Sequence, residues 1–132
     1  MSCSTVAVQS LWPCANNHNA EPAAQLCELI AITVATAFAV PLAELQATTR
    51  RPRTVACARQ SAMYLAHVVF GLTMTEIGRA FGRDRTTAAY ACKRVEDRRD
   101  DPVLDAALEA LEHACGALGH SLRVRAQRAV LQ

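Results

Sequence analysis

The chain has 132 residues, 52% of them apolar and 20% charged, which suffices for one compact domain and is too little for two enzyme-sized ones. Aromatic residues make up only 5%, alanine is abundant and β-branched residues are scattered, so the composition favours small-residue helix packing and an all-α fold over a sheet. The net charge of +2 hides an asymmetry: residues 1–49 carry −3, residues 50–100 carry +6 and residues 101–132 carry −1.

Residues 1–20 are polar, contain Pro13 and the run Asn16-Asn17-His18-Asn19, and have no helical period; they read as a disordered tail with Trp12 as a sticky point. A first helix is predicted from Glu21, with Pro22 in its first turn, to about Ala39, where Pro41 stops it. Leu26, Ile30, Thr33, Val34 and Ala37 are expected on its packed side. The uncharged run from Leu29 to Ala43 is 15 residues long and contains Pro41, short of the roughly 20 that span a membrane. Leu42 to Gln46 adds a further turn. Arg50-Arg51-Pro52-Arg53 is then a basic linker held out of helix by its proline.

A second long helix is predicted from Thr54 to Phe70, with Ala58, Ala62, Leu65, Ala66 and Val69 inward and Gly71 as a left-handed cap. Thr73-Met74-Thr75-Glu76 is a capping box opening a short helix with Met74, Ile77 and Phe81 in the core. Gly78 within it costs about 1 kcal/mol unless a neighbouring helix approaches closely, so it marks a packing site. Gly82-Arg83 is a turn and Asp84 the cap of a helix from Arg85 to Arg98. In that helix Ala88, Ala91, Cys92 and Val95 face inward, and Thr86, Ala89, Tyr90 and Lys93 point the other way. Arg98-Arg99-Asp100-Asp101 reads as a solvated helix end. A helix from Pro102 to Leu118 is predicted to bury Leu104, Leu108 and Leu111, with residues 119–132 as a basic tail or helix. The domain layout is thus a tail over 1–20, a helical domain over 21–118 and a tail over 119–132.

The six cysteines contain no C-x-x-C pair, so zinc-ligand spacing is missing and a reduced compartment fits. His18, His67, His113 and His120 stand beside no nucleophile signature, which argues against an enzyme and against any cofactor or metal. No Lys or Arg precedes Arg50, so the basic start of a secretory signal is missing too and a cytoplasmic, nucleoid-associated location is expected.

A short helix, a tight turn and a helix that begins Asp84-Arg85-Thr86-Thr87 form the pattern of a helix-turn-helix, whose second helix fits the major groove of duplex DNA with only its leading residues at base edges. Arg85 suits guanine O6 and N7, Asp84 can accept from cytosine N4, and Thr86 or Thr87 can touch a thymine methyl or a phosphate. A capped, solvated helix accounts for the same residues without DNA.

The stretch from Arg50 through Arg59-Gln60-Ser61-Ala62-Met63-Tyr64-Leu65-Ala66, then Thr73 to Phe81, then Gly82-Arg83-Asp84-Arg85-Thr86-Thr87, closely resembles the C-terminal DNA-binding domain of the bacterial replication initiator DnaA. The likeness covers residues 26–113. It implies a small helical bundle containing the helix-turn-helix, with double-stranded DNA as partner. It further implies Arg51 as a minor-groove arginine beside the recognition helix, Arg59 and Arg53 on phosphates, and Met74 and Thr75 in the turn at the DNA edge. Asp84, Arg85, Thr86 and Thr87 match the major-groove set, Lys93 and Arg94 are further phosphate candidates, and Arg83 and Tyr90 belong to the same surface.

Two departures from the family pattern matter: one glycine, Gly82, stands where the family usually has two, and Arg85 stands where it usually has histidine. An altered preferred site is therefore expected. The 49 residues before Arg50 hold no G-x-x-x-x-G-K-[ST] and are too few for the family's ATPase module. A free-standing DNA-binding domain acting as a transcriptional regulator is the leading expectation. A modulator competing for initiator sites and an adaptor to RNA polymerase or to the initiator are the alternatives, with homodimerisation through the first or last helix as a route to useful affinity.

Overall fold

Prolines, capping residues and left-handed turns divide the chain into helices, and alanine and cysteine let those helices approach closely. The computed structural model describes residues 21–47 and 52–131, with side chains described for 23–47 and 52–121. Among these residues there are six helices and no strand: α1 (Glu21–Ala37), α2 (Leu42–Gln46), α3 (Arg53–Phe70), α4 (Met74–Ala80), α5 (Arg85–Arg98) and α6 (Pro102–Leu131). None is long and apolar enough to cross a membrane. The predicted tail over 1–20, including Trp12, lies outside the described residues, as do Arg50 and Arg51.

α3 is the central helix, packed against α1, α5 and α6. Seven of its apolar residues, Val55, Ala58, Ala62, Met63, Tyr64, Leu65 and Ala66, are buried, because it is covered on three sides. It begins one residue earlier than predicted: Pro52 is the N-cap, its carbonyl accepts from the Ala56 N–H, and Arg53 takes the first helical position. It ends as expected on Gly71 at φ +65°, whose N–H donates to the His67 carbonyl at 2.9 Å.

α1 ends two residues earlier than predicted. Ala39 adopts a left-handed φ of 54°, and the Val40 N–H reaches back to the Ala35 carbonyl at 2.9 Å before Pro41. Its packed face is also rotated from the expected one. Ile30 and Val34 are buried as anticipated, but their companions are Ala23, Cys27 and Ala31, while Leu26 and Thr33 are half-buried and Ala37 is exposed. Against α3 the smaller side chains permit the closer approach, and the bulkier Leu26 is displaced to the rim.

α6 corrects a third boundary. No break occurs at Leu118, and the helix runs on to Leu131. Gly119 lies within the helix, where a Cβ would overlap the Phe70 ring at the end of α3, so it permits the close packing of α6 on α3. Leu108, Leu111 and Cys115 are buried. Burial pushes the Cys115 thiol up. The start of α6 is set by Asp101, whose carboxylate accepts from the Val103 N–H at 3.0 Å, with Pro102 in the first position.

Candidate nucleic-acid interface

The helix-turn-helix is built from local caps. Thr73 Oγ1 accepts from the Glu76 N–H at 3.1 Å, and the Thr73 N–H donates to Glu76 Oε1 at 3.1 Å, closing the capping box that opens α4. Ile77 and Phe81 are buried, and Met74 is half-buried with its sulfur 3.9 Å from the Cys92 thiol of α5. Burial, assisted by the nearby Glu96 charge, pushes that thiol up to about 11. The turn then folds back over α4. The Arg83 N–H donates to the Gly78 carbonyl at 2.7 Å, and a Cβ on Gly78 would lie 2.8 Å from the Arg83 carbonyl oxygen and 2.9 Å from that of Asp84. What presses on Gly78 is thus the turn itself.

Asp84 caps α5. Its Oδ1 accepts from the Thr87 N–H at 2.7 Å and from the Thr86 hydroxyl at 2.8 Å. Those bonds, the backbone one foremost, hold its carboxyl below the usual carboxylate range. Ala88, Ala91, Cys92 and Val95 are buried, and the opposite side is open: Arg85, Thr86, Thr87, Ala89, Lys93 and Arg94 are exposed and Tyr90 is 60% exposed. At 100° per residue, Thr86, Tyr90 and Lys93 form one stripe with Arg94 on its flank. Among the described residues Arg85, Lys93 and Arg94 take part in no ion pair. Thr75 and Arg53 are exposed at the starts of α4 and α3.

Two of the arginines singled out in the sequence are placed differently. Arg59 is half-buried, and its guanidinium donates to three carbonyls at the C-terminal end of α2: Leu45 at 3.0 Å, Glu44 at 3.2 Å and Ala47 at 3.2 Å. Arg83 Nη2 donates to the same Ala47 carbonyl at 2.8 Å. His67 is exposed, and its Nδ1 lies 2.9 Å from the Leu72 carbonyl.

Sequence reasoning also missed an ion cluster. Arg99, expected as part of a solvated helix end, is only 24% exposed and bridges three helices: Nε meets Asp105 at 2.5 Å, and Nη1 meets Glu112 at 2.6 Å and the Tyr64 hydroxyl at 2.9 Å. Its guanidinium also lies 5.8 Å from the Tyr64 ring centroid. The available signal was the spacing of Asp105 and Glu112, which border the apolar stripe of α6 two turns apart.

A family model described as the bacterial dnaA protein helix-turn-helix matches residues 27–95, from α1 through the last buried residue of α5. The chain belongs to the DnaA helix-turn-helix family. Among relatives, the chromosomal replication initiator protein DnaA 2 of Chlamydia muridarum is 40% identical over 58% of this chain and 17% of its own length. The DnaA of Bartonella quintana is 46% identical over 51% of the chain and 14% of its own length. The chain therefore spans less than a fifth of these DnaA relatives. A crystal structure of a DNA replication initiation factor superposes with a TM-score of 0.67 at 28% identity, over 74% of this chain and 30% of that one. The DnaA replication initiator bound to AMPPCP and single-stranded DNA superposes with a TM-score of 0.64 at 27% identity, over 72% of this chain and 29% of that one. The family-model match ends within α5, before Arg99 and α6.

Proposed function

We propose that this domain binds double-stranded DNA sequence-specifically, with the leading turn of α5 in the major groove, and that it acts as a transcriptional regulator. One observation carries the reading: α5 buries its alanine, cysteine and valine face while Arg85, Thr86, Tyr90, Lys93 and Arg94 stand open, with the three cations in no ion pair among the described residues. Arg85 is assigned to guanine. Thr86 gives its hydroxyl hydrogen to Asp84, so toward a base it offers acceptor lone pairs and a methyl group, which suit an exocyclic amine or a thymine methyl. Thr87 and Asp84 complete the reading turn. Arg53, Thr75, Tyr90, Lys93 and Arg94 are assigned to the backbone, Met74 to the turn beside it, and Arg51 to the minor groove.

Nucleoid association and pairing with a second copy belong to the same proposal; contact with RNA polymerase belongs to the adaptor alternative. Membership of an initiator family favours one second reading: competition for initiator sites. Selection of bound sequences from random duplex DNA, repeated with Arg85→His, tests both. Base readout by Arg85 predicts a motif that changes at one base position in the variant, by about 1–3 kcal/mol of discrimination, and regulation at its own sites predicts a wild-type motif that the full-length initiator does not bind. Competition predicts that the wild-type motif is one the full-length initiator also binds. A wild-type pool without any motif removes base readout by the Asp84–Thr87 turn.

A further inference from the structure

Two cations from different parts of the fold converge on one carbonyl. Ala47 follows α2 and precedes the segment that carries Arg50 and Arg51; its oxygen accepts from Arg83 Nη2 at 2.8 Å and from Arg59 Nη2 at 3.2 Å. Arg59 comes from α3 and also holds the Leu45 and Glu44 carbonyls. Arg83 comes from the turn of the helix-turn-helix, one residue before the cap of α5. The C-terminal end of a helix gathers partial negative charge, so guanidinium groups are well placed there. A guanidinium donating into a carbonyl has fewer donors, in a fixed plane, left for a phosphate.

We propose that Arg83 is a positioning residue, and not a phosphate contact: through the Ala47 carbonyl, which Arg59 of α3 also holds, it locks the end of α2, the body of α3 and the leading end of α5 into one unit. The proposal rests on the DNA-binding reading above and refines it. The Phe81, Gly82 and Arg83 N–H groups bond back onto α4, at Ile77, Arg79 and Gly78, so the turn is secured locally, and the Arg83 side chain adds a bond that crosses to another element. Arg85 lies two residues further on, so its placement against a base depends on where Arg83 is tied.

The test titrates wild type, Arg83→Ala and Arg83→Gln onto a fluorescein-labelled duplex carrying the sequence that wild type selects, at several salt concentrations, with thermal circular dichroism on the same samples. Arg83→Ala is expected to weaken binding with the slope of log affinity against log salt unchanged. Its loss and that of Arg85→Ala are expected to fall short of multiplying by at least about threefold. Arg83→Gln, which keeps a donor and loses the charge, is expected to recover most of the affinity.

A slope reduced by about one counterion in both Arg83 variants is the mark of a phosphate contact and overturns the proposal. Losses that simply multiply overturn it too, as does Arg83→Ala binding at wild-type strength. If Arg83→Ala does not fold, Arg83→Gln decides by its slope alone. A wild-type protein that selects no sequence overturns the DNA-binding reading and this proposal together, whereas an altered slope beside intact wild-type selection overturns this proposal only.

Discussion

Asp84 does two jobs with one carboxylate: it closes the open N–H of Thr87 and fixes the hydroxyl of Thr86, so the cap and the exposed surface share an atom. Because the cap depends on an ionised group, it carries a pH signature. The folded-state pKa lies below the value of about 3.9 for an unfolded aspartate, so the stabilisation is fully present above that value and is lost as pH falls through the folded one. The gap in Tm between wild type and Asp84→Ala is therefore expected to be widest near neutral pH and to narrow below about pH 4. Asp84→Asn, a comparable cap without a charge to lose, should follow the wild type near neutral pH and show no such acid-dependent change relative to Asp84→Ala. Thermal melts across that range check it; a gap that stays constant into acid would show that the charge contributes nothing to the cap.

At the scale of elements, boundaries written in caps were legible from the sequence, and faces written in small residues were not. The Thr73–Glu76 box, the Gly71 end and the Asp84 cap each involve residues within four positions of one another, so sequence order and spatial order coincide. On α1 the choice between Leu26 and Cys27 depends on how near α3 comes, which no local pattern records. Gly78 lies between these cases: its helix-breaking identity marked a close approach, but the partner proved to be the turn's own backbone. Gly78→Ala gains about 1 kcal/mol of helix propensity. Its new methyl meets two carbonyl oxygens that cannot rotate away, and overpacking of that kind costs about 1–3 kcal/mol. Net destabilisation in urea denaturation is the expected outcome, together with weaker selection by α5. A stabilised variant would mean that the turn moves off α4 freely.

For the molecule as a whole, charge counted along the chain differs from charge available at a surface. Residues 50–100 carry a +6 excess that pointed to DNA, yet Arg59 and Arg83 spend donors on carbonyls and Arg99 is held by Asp105 and Glu112, all contacts between segments distant in sequence. Such contacts require the fold to be known first, which is why Arg59 reads from sequence as a phosphate contact and Arg99 as part of a solvated helix end. Arg99 offers the sharpest contrast with Arg94. Removing it leaves two partly exposed carboxylates side by side without their cation and frees α6 from the Tyr64 edge of α3. The cost lies between that of an exposed pair and that of a buried one, about 1–2 kcal/mol for Arg99→Gln after allowance for solvent screening. The same change should leave the salt dependence of DNA binding untouched, because the lost charge was already neutralised within the fold. Arg94→Gln should do the reverse, with stability within about 0.5 kcal/mol of wild type and the salt slope lowered by about one counterion. Urea denaturation and salt-dependent titration of the two variants separate the predictions; a slope lowered by Arg99→Gln would place that arginine on the DNA surface, contrary to the cluster that holds it.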